Sequence, residues 1–370
     1  MKLRREVEDY GVQYFAVEDD GTELSHGGTF YQKSRLNGAI IDTQLIGGIG
    51  TDPEYRRGGN VRLILEGMFQ DATERGCLVS VLHPFSFAYY RKFGFERISD
   101  HRILEFPMSA LSCFERCNNL KRIRDKSEMA ILSEIYNEFG EGRNLMFLRD
   151  ASSNQGDGIK YVWYDENGKP ASYIALKGTN HFVVNHATGG DLDVYTMCFT
   201  TKESLLALFG FIRMYEGEFA KVTIHNTAMA PEIEKLLRHY THTSITVVPD
   251  IMARVNDVGG VLSVMKYPEK KGHFIVKVTE PERTSHSPEL TDGVWEVTYE
   301  NGKADVKRLA NDFEDYDIKC DIPAFTQIIY GYESFGADVA KYVDNVELKT
   351  PAYDFFAAFP NRPVGAFEHF

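Results

Sequence analysis

Apolar and polar residues alternate over residues 10–51, and the alternation breaks where Asp-Gly and Asn-Gly fall. The pattern predicts three strands, "YGVQYFAVED", "ELSHGGTFYQ" and "AIIDTQLIGGIGT", joined at "DDG" and "LNG". From residue 61 the period lengthens. In "VRLILEGMFQDATERG" the side chains of Val61, Leu65, Met68 and Phe69 share one helical face, and Gly76 supplies a C-terminal stop. "CLVSVLHPF" is nearly all apolar, as a short strand buried on both faces is. "FAYYRKFGFERI" predicts a short helix and a turn, and "RILEFPM" a strand that closes the segment.

A polar connection at 112–126 leads to a second α/β segment. It offers a helix "EMAILSEIYNEF", strands "IKYVWYD" and "ASYIALKG", a helix "KESLLALFGFIRMYEG" and a strand "AKVTIHN". The order of elements repeats the first segment. A third segment begins near "DIMARV", with strands "HFIVKV", "GVWEVTYENGKADVKRL" and "YDIKCDI" and late helices "PAFTQIIYG" and "SFGADVAKYV". Three domains are expected, at 1–115, 116–250 and 251–370, since 370 residues exceed one ordinary core. No low-complexity linker separates them, so firm packing is expected.

Composition narrows the function classes. A net charge of −13 argues against a nucleic-acid partner, which needs a basic face. An acidic surface attracts cationic substrates and equally serves solubility. No run approaches the roughly 18 apolar residues of a membrane span, and the charged start "MKLRREVEDYG" is not a secretory signal. Five cysteines lack a framework spacing, and none sits in a zinc pattern. Free thiols in the cytoplasm and no metal are the expectation.

Chemistry concentrates at "PEYRRGGNVR", residues 53–62. A helix N-terminus presents unpaired N–H groups and a partial positive charge, which attract anions. Glycines there let a phosphate approach the backbone. Two arginines at that end oppose the dipole unless an anion sits between them, although an ordinary solvated turn also fits this stretch. No G-x-x-x-x-G-K-S/T, G-x-G-x-x-G or H-E-x-x-H pattern is present.

The loop R-x-x-G-x-V (Arg56, Gly59, Val61) resembles the R-x-x-G-x-G/A pyrophosphate loop of GNAT N-acetyltransferases. The longer string "GGIGTDPEYRRGGNVRLIL…CLVSVLHPFSFAYYRKFGFE" resembles the Eis (enhanced intracellular survival) branch of that superfamily. Arg56, Arg57, Gly59, His83, Tyr90 and "KFGF" carry the likeness. It extends over the whole chain and implies an α/β (α+β) protein. Tandem GNAT-like domains with mixed sheets would be followed by a sterol-carrier-protein-like domain ending "FPNRPVGAFEHF". A GNAT domain begins with a strand and two helices ahead of its first hairpin. Only about nine residues precede Tyr10, so these elements are expected to be missing.

The resemblance implies an acetyl-CoA-dependent N-acetyltransferase acting on primary amines of a polycationic acceptor such as an aminoglycoside. It also implies a homo-oligomer, a hexamer in the family. Arg56, Arg57, Gly58, Gly59, Asn60, Val61 and Arg62 would hold the pyrophosphate. Ile49, Gly50 and Thr51 would hold the pantetheine arm as an added strand, with Phe85 and Ser86 flanking it. Tyr90 would be the general acid and the terminal carboxylate of Phe370 the general base, with Glu368 helping to bind a cationic acceptor. The alternative is an acyl-CoA or apolar-ligand binding protein with a vestigial transferase site.

Overall fold

The computed structural model describes residues 1–153, 155–177, 190–228, 230–237, 240–280, 288–332 and 336–368. The first segment folds as the alternation predicts. Strands β2 (Gly11–Val17), β3 (Glu23–Leu36) and β4 (Ala39–Thr51) form an antiparallel meander. The helix α1 (Asn60–Glu74) then crosses to β5 (Val79–Leu82), which runs parallel to β4. Ile64, Leu65, Met68 and Phe69 bury the apolar face of α1 on this sheet, each contributing on the order of 1.5–3 kcal/mol. A short helix α2 (Phe87–Arg91) and strand β6 (Glu96–Arg97) follow.

The first strand is not missing. Lys2–Glu8 forms β1, paired along its length with β2. What the domain lacks is the pair of helices between them: the chain passes from Glu8 to Gly11 in a tight turn.

The strand placed by sequence at the end of the first segment belongs elsewhere. β7 (Asp100–Pro107) lies in the second sheet. That sheet also holds β8 (Lys121–Arg122), β9 (Ile159–Tyr164), β10 (Pro170–Leu176), β11 (Asp191–Phe199), β12 (Lys221–Asn226) and β13 (Ser244–Pro249). Helices α3 (Ala130–Phe139), α4 (Lys202–Arg213) and α5 (Pro231–Leu236) accompany it. The strand read as opening the third segment, β14 (Met252–Val255), returns to the first sheet between β5 and β6.

The two sheets have orders β1-β2-β3-β4-β5-β14-β6 and β13-β7-β12-β11-β10-β9-β8. One antiparallel ribbon therefore serves both, with Ala253 opposite Glu96 at one end and Ser244 opposite Glu105 at the other. Where it passes between sheets, Ile98 N–H donates to the Ile251 carbonyl and Asp250 N–H to the Ser99 carbonyl, at 3.0 and 3.1 Å.

The remaining chain forms a five-stranded sheet in the order Lys303–Leu309, Gly293–Glu300, Gly272–Thr279, Ile318–Asp321, Val346–Leu348. Its helix Ile322–Tyr330 packs against β14 and β6. A continuous core joins it to the first sheet through Ile41, Val81 and Ala253 on one side and Phe274, Ile318 and Phe325 on the other. At the meeting point of all three units Asn37 donates to the carbonyls of Lys266 and Ala358, and Asn144 accepts from the Asn37 backbone.

The motif glycine of "KFGF" is explained by this arrangement. Gly94 has φ 79°, and a Cβ there would lie 2.0 Å from the Arg254 guanidinium. Arg254, brought in on β14, is 1% exposed and paired with buried Glu280. Its Nη1 also donates to the Phe93 carbonyl at 2.8 Å. Removing either charge would strand the other in the core.

Candidate active site

Strands β4 and β5 part at the end of α1. Their pairing runs from Thr43 and Val79 only to Ile46 and Leu82, whereas β4 continues to Thr51. Between His26 and Gly28 the register shifts, setting Gly48 and Ile49 opposite Gly27 alone. This is a β-bulge, and it bends β4 away from β5. The edge from Gly47 to Thr51 thereby faces a gap instead of a neighbouring strand.

The loop after β4 leads to an open helix start. Pro53–Tyr55 forms a 3-10 turn, and Asn60 braces it by donating to the Tyr55 carbonyl at 2.8 Å. Arg57 and Gly59 both take positive φ, 68° and 84°. Gly59 is the N-cap of α1 with no side-chain cap, and a Cβ there would meet nothing within 4 Å. The first-turn amides therefore face open space, beside two exposed arginines. Arg56 Nε donates to the Thr51 carbonyl at 3.3 Å. Arg62 lies one turn in, 3.8 Å from Glu66 and over the Phe93 ring.

Below the parting strands sits Tyr90, 3% exposed, in the same apolar cluster as Ile46 and Leu82. Ser86 caps α2 by accepting from the Tyr89 amide. Phe85 is 68% exposed and covers Tyr90 edge-on at 5.2 Å. Burial, with Tyr89 beside it, pushes the Tyr90 hydroxyl well above the ordinary tyrosine range. Among the described residues it has no hydrogen-bond partner, so its proton is available for donation.

The C-terminal tail enters between the two α/β units. Asn144 N–H donates to the Pro363 carbonyl, and Phe367 packs against Tyr136 and Phe139. The Glu368 carboxylate is bound by Arg149 at 2.8 Å and by the Tyr136 hydroxyl at 3.0 Å. Its carbonyl lies 3.3 Å from His83 Nε2, and His83 Nδ1 lies 3.0 Å from Asp250. Glu368 is thus neutralised by Arg149, 6% exposed, rather than offered to a cationic acceptor. Phe370, like His369, lies outside the described residues.

This tail borders a cleft of about 710 Å³ between the two α/β units. Tyr10, Phe30 and Tyr31 form one wall, and Tyr195, His101 and His225 the other. Arg149, Asp250 and the two histidines of that wall were not singled out from sequence, because nothing local marks them. They meet only through the shared ribbon and the fold of the second sheet.

Residues 2–98 and residues 143–255 each match a family model described as an acetyltransferase (GNAT) domain. No curated protein matches the chain. Among solved structures, a probable N-acyltransferase from Enterococcus faecalis is similar over 98% of this chain and 90% of its own, with TM-score 0.82 and 18% identity. A GCN5-related N-acetyltransferase from Anabaena variabilis covers 97% and 89%, with TM-score 0.80 and 17% identity. Eis1 from Mycobacterium abscessus covers 98% and 92%, with TM-score 0.77 and 12% identity. At these identities the likeness is one of fold. With two such domains in tandem, sharing one ribbon of strands, the chain belongs to the GNAT acetyltransferases.

Proposed function

We propose that the chain is an acetyl-CoA-dependent N-acetyltransferase that modifies primary amines of a polycationic small-molecule acceptor, of which an aminoglycoside is one example. The observation that carries this reading is an uncapped helix start at Gly59, set beside strands that part above a buried tyrosine. The residues present fit coenzyme A: the space over Gly59 is open, and an added diphosphate would offset two cations otherwise opposed to the helix dipole. Amides from Gly58 to Arg62, with Arg56 and Arg57, would hold that diphosphate. The free edge Ile49–Gly50–Thr51 would hold the pantetheine arm, between it and Phe85 and Ser86.

Bound there, acetyl-CoA supplies the acetyl group as an activated thioester. An amide of the β4 edge polarises the carbonyl, an oxyanion-type role. Tyr90, kept protonated by burial, donates to the leaving sulfur. The terminal carboxylate of Phe370 takes the amine proton; the latch on Glu368 supports this, because it holds the tail as far as Glu368 between the two domains. Aromatic faces at Tyr10, Phe30 and Tyr195 suit a cationic acceptor. The aromatic segment "DFFAAF" is no argument for a sterol-carrier-like ligand, since Phe355 and Phe359 pack on Phe274 in the core.

The test is calorimetric titration with acetyl-CoA, followed by thiol release with kanamycin and with polyamines. Tight cofactor binding without thiol release from any amine would overturn the reading.

A further inference from the structure

The cleft between the two α/β units is lined by few charged side chains. Arg149 and Glu368 lie in it and neutralise each other at 2.8 Å. Among the described residues, the other carboxylate of the lining is Asp157, just ahead of β9. It is exposed, and it makes no hydrogen bond or ion pair among those residues. Asp157 belongs neither to the cofactor groove nor to the latch on the tail.

The turn that presents Asp157 is tightly built. Gly156 and Gly158 take positive φ, 69° and 93°, and a Cβ on Gly158 would lie 2.5 Å from the Leu176 carbonyl. Lys160, 7% exposed, donates to the carbonyls of Gly156 and Gly158 at 2.7 and 3.0 Å. Burial lowers the Lys160 pKa, and Asp157 close by opposes that shift. The nearest buried cation is therefore committed to the backbone, and the Asp157 carboxylate is left to the cleft. The second domain's wall is also one hydrogen bond short. Thr227 lines the cleft and is 9% exposed, and its hydroxyl is buried without a partner among the described residues. Buried polar groups are as a rule paired, so an orphan on a cleft wall points to a donor that arrives with a ligand.

We propose that Asp157 anchors a second ammonium group of the acceptor and so makes the cleft select polyamines over monoamines. The inference deepens the transferase reading and rests on it for the reaction at the first amine. With Arg149 already matched by Glu368, Asp157 leaves the lining with a surplus of negative charge. An ammonium donates to its carboxylate in a charge-assisted hydrogen bond. The rings of Tyr10, Phe30 and Tyr195 border the same space and suit the rest of a cationic chain. A contact to an amine that does not react holds substrate and transition state alike, so Asp157 governs KM and not kcat.

Calorimetric titration of the full chain with spermine tests this in Asp157→Asn, in Asp157→Glu and in Asp312→Asn, which removes an exposed carboxylate of the third unit. In Asp157→Asn the Kd is expected to weaken about tenfold, between the effect of an exposed ion pair and that of a well-formed charged hydrogen bond. In Asp157→Glu and Asp312→Asn it should stay within about threefold of the wild type. Unchanged acetyl-CoA affinity verifies that each variant is folded. In thiol release from Asp157→Asn, the KM for spermine should rise with the Kd, while kcat and the KM for butylamine hold. An unchanged spermine Kd in Asp157→Asn, an equal loss in either other variant, or an equal rise in the butylamine KM would overturn the anchor. So would a wild type that does not bind spermine. Spermine binding with the expected losses but no thiol release from any amine would sink the transferase reading and leave the anchor standing.

Discussion

The two tandem domains arrange seven strands in the same order, yet their central helices begin differently. In the first, α1 starts at Gly59 in the left-handed region with no side chain over its amides. In the second, α4 starts at extended Thr201, whose hydroxyl accepts from the Ser204 amide while Ser204 accepts from the Thr201 amide. That capping box occupies donors which an anion would need. A cleft of about 620 Å³ does lie beside it, but among the described residues its one arginine, Arg143, is bound to Glu232 and to the Phe139 carbonyl. The fold thus repeats the helix start, and the identity of two or three residues decides whether its amides are open.

The tail offers the widest expected contrast, since the proposed base stands at its end. Extending the chain past Phe370 should lower turnover by roughly 10²–10⁴-fold, the range of a lost acid–base group, with acetyl-CoA affinity nearly unchanged. Full activity with a C-terminal tag would refute the carboxylate role. Tyr90 has no tyrosine counterpart in α5. Tyr90→Phe should cut kcat about 10²-fold while sparing the KM for acetyl-CoA; an equal loss in both would make the ring a packing residue. Replacing Arg56 and Arg57 together by Ala should weaken acetyl-CoA binding by roughly 2–4 kcal/mol. An unchanged Kd would erase the distinction between the two helix starts. The smallest effect is expected at the sealed one. Thr201→Ala should lower stability by about 1 kcal/mol in thermal unfolding and leave acetyl-CoA binding alone; a weakened Kd would mean that the second domain also serves the cofactor.

Much of the first domain was legible because its elements announce themselves locally. Strict alternation gave β2, β3 and β4, and Gly76, at φ 69°, ends α1 as expected. The string from Arg56 to "KFGF" pointed to the proposed groove through its likeness to a GNAT loop, because an ordinary solvated turn also fits the glycines and arginines alone. β1 went unseen because "KLRREVE" carries charges on both faces, as an edge strand tolerates. The exchange of β7 and β14 was invisible for a different reason. "RILEFPM" and "DIMARV" are credible strands, but alternation does not say which sheet a strand joins. The latch on Glu368 and the pair of imidazoles follow from that exchange, so they were out of reach too.

The crossing ribbon also sets a condition on biosynthesis. The slot between β5 and β6 stays vacant until Met252–Val255 has been made, so a ribosome that has finished the first domain's other strands has not yet finished its sheet. A gene cut between β7 and β14 would yield two fragments, each lacking a strand held by the other. Those halves are expected to be soluble only when co-expressed, because each sheet is completed by the other half.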